Sequence, residues 1–113
     1  MINSIGSSLA GLSAHSTKVN TVAHNVANIN TEGYKKDRVT IHSNESGLPE
    51  AHITKVEAGG SIIQGPEGEV ETSNVSLPEE AVNQIVGKTG FEANLKVLKA
   101  QEETIDSVLD ILA

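Results

Sequence analysis

Aromatic side chains are almost missing from this chain: one Phe, one Tyr and no Trp stand among 113 residues. Any core must therefore be built from Val, Ile, Leu and Ala, and a chain this short already buries only a modest share of its surface. The lone monomer is expected to be marginal and to draw stability from partners. Cysteine is absent, which excludes disulfides, thiolate zinc sites and thiol catalysis. No stretch approaches the roughly 20 apolar residues of a membrane span. The N-terminus has neither a basic region nor a continuous apolar run, so it does not read as a cleaved secretory signal. A net charge of −7 disfavours broad contact with nucleic-acid phosphates or anionic lipid.

Signs of catalysis are also lacking. There is no glycine-rich dinucleotide fingerprint and no phosphate loop. The four histidines (His15, His24, His42, His52) form no i,i+4 pair and have no ligand cluster beside them, so they are expected to be exposed or interfacial and not metal ligands. The acidic group Glu102, Glu103, Asp106 and Asp110 lacks the spacing of a calcium loop and reads as a solvated face. The expectation is a chain that is no enzyme and takes no cofactor or metal.

What is present falls into three parts, 1–34, 35–75 and 76–113. The first carries only Lys18 and Glu32; the second has four basic and seven acidic residues, the third three and seven. In the first, Ile2, Ile5, Leu9, Leu12, Ser16, Val19, Ala23 and Val26 alternate at spacings of 3 and 4, a coiled-coil seam over about residues 3–30. Val22 and Ile29 widen the stripe. Asn3 or Ser4 is placed to cap the start, and Gly33 supplies a turn that ends the helix.

This predicted helix has an unusual polar face. Thirteen of the first 31 residues are Ser, Thr or Asn, mediocre helix formers that compete for backbone hydrogen bonds. Small uncharged side chains suit a helix packed against neighbours on more than one side; they equally suit a frayed one. Both hold for a segment that folds on binding.

The middle reads as a small irregular β-ribbon insert, with short strands near 39–42, 52–57, 61–64 and 68–72, broken by Gly59-Gly60 and Gly65-Pro66. The last part is a second helix over about 77–112. Ser76-Leu77-Pro78-Glu79 has the form of a capping box. Leu95, Leu98, Glu102, Ile105, Leu109 and Leu112 again alternate 3 and 4 apart; Val82, Ile85, Val86 and Phe91 extend the apolar face. Gly87 and Gly90 are expected to weaken or bend this helix, and Glu92/Lys96 to pair at i,i+4. The expected fold is mainly α: two terminal helices packed as an antiparallel coiled-coil hairpin around the β insert.

The stretch from Ala23 to Lys35 contains Asn25, Asn28, Thr31, Gly33 and Tyr34 in an Asn-rich helix end running into Thr-x-Gly-aromatic. It resembles the N-terminal signature of the flagellar axial family of rod, hook and hook-associated proteins. Asn74-Val75, then Glu80 and Ile85, then Phe91-Glu92-Ala93-Asn94 resemble that family's C-terminal pattern. Lys88-Thr89-Gly90 departs from the usual Gln-Arg or Ser-Arg before the aromatic. The short middle is similar to that of the small proximal-rod proteins, closest to the rod protein C type.

The resemblance implies a structural subunit of the bacterial basal-body rod, in the periplasm-spanning axis, polymerising through its terminal helices with other rod and axial subunits. It implies export by the flagellar type III apparatus and helices that order on assembly. The residues expected at the assembly interface are Leu9, Leu12, Val19, Val22, Asn25, Val26, Asn28, Thr31, Gly33, Tyr34, Ile85, Phe91, Asn94, Leu95, Leu98, Ile105 and Leu109. Asn25 and Asn28 share a helix face and are expected to fix register between subunits. The alternative is a non-flagellar two-helix interaction or adaptor module.

Overall fold

The computed structural model describes residues 2–113 in backbone and 4–113 in side chain. Helix α1 (Ile2–Ala27) is followed by strands β1 (Asp37–Ser43), β2 (Pro49–Lys55), β3 (Ile62–Gly65) and β4 (Gly68–Glu71), and then by helix α2 (Leu77–Leu112). The architecture is mainly helical, with two long terminal helices enclosing small antiparallel strand pairs. Strand β1 pairs only with β2, and β3 only with β4, as two separate hairpins among the described residues. The radius of gyration is 19.7 Å, where a compact domain of this length has about 13 Å. The chain exposes 7565 Å², against about 5,900 Å² for a compact monomer of its mass. It is a rod, 75 × 25 × 16 Å.

Helices α1 and α2 pack antiparallel: Ser8 lies opposite Gln101, Gly11 opposite Asn94, His15 opposite Gly90 and Val19 opposite Gly87. Gly87 and Gly90 do not interrupt α2, which runs unbroken for 36 residues. They are points where side chains of α1 pack directly against the α2 backbone. A Cβ added at Gly87 would stand 2.9 Å from Val19 Cγ2, and one at Gly11 would stand 2.7 Å from Asn94 Cγ. Glycine is needed because a side chain of the partner helix fills the space a Cβ would take.

The line of contact therefore runs through Ser8, Gly11, His15 and Val19, and is rotated from the predicted seam. Leu9, a seam position, is 51% exposed. The reason is the second face of α1. Ala10, Ser13, Ala14 and Thr17 line one groove with Pro49, Glu50 and Ala51 of β2, so the hairpin β1–β2 occupies that side. Two partners on two faces leave Leu9 on the third. The packing on more than one side expected of α1 comes here from its own chain.

Two local expectations at the helix starts are corrected. Helix α1 begins at Ile2, so Asn3 and Ser4 lie inside it; the side chains of Ile2 and Asn3 fall outside the described residues. At α2, Ser76 is extended (φ −108°, ψ 114°) and makes no side-chain capping bond. Its intended partner Glu79 instead accepts a hydrogen bond from Lys36 Nζ at 2.6 Å, and an ion pair with a buried ammonium outweighs a solvent-exposed capping bond. Likewise Glu92 lies 3.9 Å from Lys88 on the turn before it, not paired with Lys96 on the turn after.

Candidate assembly surface and the asparagine cluster

The N-terminal motif closes α1 through hydrogen bonds that its sequence supplies. After Ala27 the chain tightens, with Asn28 N–H donating to Asn25 O and Ile29 N–H to Val26 O, the i,i+3 pattern of a helix end. Asn28 Nδ2 donates to His24 O at 2.9 Å and Thr31 Oγ1 donates to Asn28 Oδ1 at 3.0 Å. Gly33 takes φ 67°, a left-handed conformation that favours glycine; its N–H donates to Glu71 O at 2.8 Å. The chain thus reverses and enters β1.

Asn25 is 1% exposed and joins three segments. Its Nδ2 donates to Asp37 O at 2.8 Å, while its Oδ1 accepts from Asp37 N–H at 3.0 Å and from Tyr34 Oη–H at 3.0 Å. The amide imitates a neighbouring strand and docks the start of β1 onto α1. Tyr34 also packs edge-on against His24, with ring centroids 5.9 Å apart, and burial holds its phenol above the usual range. Three of the four hydrogen-bonding positions of the Asn25 amide are thus filled within the chain.

Asn74 does the same from the other end of the insert. Its Oδ1 accepts from Lys36 N–H at 2.6 Å, and its Nδ2 donates to Val56 O at 3.0 Å and Ala58 O at 2.7 Å. The Asn74 N–H donates to Tyr34 O at 3.2 Å. Two asparagines, 49 positions apart in sequence, therefore grip the adjacent residues Lys36 and Asp37.

Charge reinforces this junction. Lys36, only 6% exposed, pairs with Glu79; its hydrogen bond holds the Glu79 carboxyl below the usual carboxylate range. Lys35 pairs with Glu71, whose carboxyl is lowered in the same way and also accepts from Gly60 N–H. Glu80 is 2% exposed, and its Oε2 has no protein partner. It lines a cavity of about 160 Å³ beside Lys18, Thr21, Asn25, Lys36 and Asn83, polar and roomy enough for water to meet that oxygen.

The remaining predicted interface residues lie along the helices. Val22 is buried, whereas Leu12, Val19, Val26, Asn28, Tyr34, Asn94, Leu98 and Ile105 are half-buried. Leu9, Ile85, Phe91, Leu95 and Leu109 are exposed, as are Thr31 and Gly33. Asn94 bonds its own helix, Nδ2 to Gly90 O at 2.8 Å. The only buried apolar residues among those described are Ala14 and Val22. Among the described residues, eleven of the fifteen exposed large apolar side chains belong to α2, so there α2 and not α1 carries most of the uncovered apolar surface.

On one side of the helix pair, Ser16 and Val19 border Gln84, Lys88 and Phe91. On the other, Ser4, Ser7 and Ser8 border Asn94, Val97 and Gln101. Each flank is a shallow, open groove between two helices. No helix among the described residues is long and apolar enough to cross a membrane. Nor is any group of three or more ligating side chains there placed to hold a metal ion.

Comparison with known proteins agrees at both ends. Residues 7–35 match the family described as flagella basal body rod protein. Residues 67–111 match the family described as flagellar basal body rod FlgEFG protein C-terminal. The chain is 30% identical over 77 residues to the flagellar basal-body rod protein FlgG of Bacillus subtilis, an alignment covering 68% of this chain and 26% of that one. It is 41% identical over 71 residues to the flagellar hook protein FlgE of Treponema pallidum, covering 63% of this chain and 15% of that one. The chain thus spans about a quarter or less of the curated relatives it matches. With matched segments that contain the Asn25–Tyr34 motif and nearly all of α2, the chain belongs to the flagellar axial family of rod and hook proteins.

Proposed function

We propose that this chain is a structural subunit of the basal-body rod, polymerising with other axial subunits through the exposed flanks of α1 and α2. The observation that carries this is the combination of an almost empty core with apolar side chains ranged along α2. Ile85 is 65% and Leu95 49% exposed, and a soluble monomer rarely leaves such a stripe uncovered. Neighbouring helices laid into the two grooves would bury it, and would supply the stability that Ala14 and Val22 alone cannot.

The short insert supports a proximal position, of the rod protein C type. Export through the flagellar type III apparatus and the absence of catalytic activity complete the proposal. The test is assembly: tagged chain is expected in basal bodies purified from a motile strain, and Leu95→Glu is expected to prevent incorporation while the protein is still made. Absence of the wild-type chain from those basal bodies would sink the proposal.

A further inference from the structure

The hairpin β1–β2 brings together two side chains that are ten positions apart in sequence. In its register Thr40 stands opposite His52 and His42 opposite Glu50, so His42 and His52 are diagonal neighbours on one face. Their ring centroids are 5.0 Å apart, with planes inclined at 52°. Both rings are exposed, as is Glu50, while the alternate residues Val39, Ile41 and Ala51 are half-buried. The histidines therefore sit on the face turned away from α1, open to solvent.

That spacing has a chemical meaning. An imidazole nitrogen binds a first-row divalent ion at about 2.0–2.1 Å. The ring centre lies a little over an ångström behind that nitrogen. Two imidazoles on one ion at near-right or tetrahedral angles therefore place their centroids about 4.5–5.3 Å apart. The observed pair already stands at such a separation on a paired two-stranded scaffold. We propose that His42 and His52 chelate one borderline transition ion of the Zn2+, Ni2+ or Cu2+ class, with solvent filling the remaining positions.

Glu50, directly across from His42, places negative charge beside the ion. Two protein ligands make the site weaker than a three- or four-ligand structural centre. Two ligands held on one hairpin still bind far better than either alone, because the second engages at high effective concentration. Binding would tie β1 to β2 near the hairpin turn.

The test uses the full chain with Zn2+ by calorimetry and with paramagnetic Ni2+ by NMR line broadening. One ion per chain is expected, with broadening centred on residues 40–42 and 50–52. His42→Ala and His52→Ala should each weaken Zn2+ binding at least about tenfold, while His24→Ala should leave it unchanged. Three results would overturn the proposal: no saturable binding, wild-type affinity in both variants, or broadening centred on His15, His24 or the acidic residues of α2.

Discussion

Alanine substitution should raise stability at one helical glycine and fail to raise it at another. Gly6 in α1 has nothing within 4 Å of where a Cβ would stand, so Gly6→Ala gains only helix propensity, about 1 kcal/mol. Gly87→Ala in α2 gains the same propensity, but its Cβ would meet Val19 Cγ2 at 2.9 Å and Val19 N at 3.6 Å. The valine is stiff at χ1 and its backbone cannot retreat without moving α1. Overpacking of this kind costs about 1–3 kcal/mol, leaving Gly87→Ala between neutral and about 2 kcal/mol destabilised. The two variants should then differ by about 1–3 kcal/mol, and about 4–8 °C in Tm accompanies each kcal/mol in a domain near this size. Thermal unfolding followed by circular dichroism at 222 nm reads this, in a stabilising osmolyte that secures a folded baseline for so lightly cored a chain. If Gly87→Ala raises the midpoint as much as Gly6→Ala, the close helix approach described here is wrong.

Three further outcomes follow from the junction and the helix pair. Asn25→Ala strands the Asp37 backbone groups and the Tyr34 hydroxyl and should cost about 2–4 kcal/mol, whereas Tyr34→Phe, which removes one bond, should cost about 1 kcal/mol; equal losses in chemical denaturation would contradict the docking role of Asn25. Glu79→Gln leaves the buried Lys36 ammonium without its counter-charge; because Glu79 is itself 44% exposed in its side chain, the loss is discounted to about 1–2 kcal/mol, read from the same curves. His15 has a buried Nδ1 without a partner, and burial, aided by the Lys18 charge, lowers its pKa. A lowered histidine binds fewer protons when folded, so its stabilising contribution is full above about pH 6.5 and is lost as pH falls below that value. The carboxyls of Glu71 and Glu79, also lowered, lose theirs only in the more acidic carboxylate range, so a decline between about pH 7 and 5 that persists in His15→Gln would rule out the histidine.

Much of the fold was legible because helices announce themselves locally. The apolar spacing and Pro78 place α2 within a residue of its observed start, and Gly33 marks the turn after α1 because it readily takes the left-handed conformation found there. The face of each helix was less legible. A 3–4 repeat shows that a stripe exists, but which side of it meets the partner depends on where the β1–β2 hairpin docks. No periodicity in residues 1–34 encodes that. Helical glycines mislead for a related reason: Gly87 and Gly90 read as weak points to propensity alone, because the helix they admit lies some 70 residues earlier in the chain. The partners of Asn25 and the meeting of His42 with His52 are products of long-range pairing, and sequence spacing hides both. The sole cue for the first was a motif dense in asparagine at a helix end.

The double grip on Lys36 and Asp37 has a consequence for how such a chain can vary. Asn25 holds the segment as it enters the insert, and Asn74 holds it again as the chain leaves, so the insert begins and ends at one fixed seat beside the first turn of α2. A segment whose two ends are pinned together can be lengthened at small thermodynamic cost, roughly 0.6 kcal/mol for each doubling of a flexible loop. The helix pair would not register the change. The junction thus behaves as a socket: what is plugged into it can grow or shrink through evolution while the two helices keep the same relation to each other.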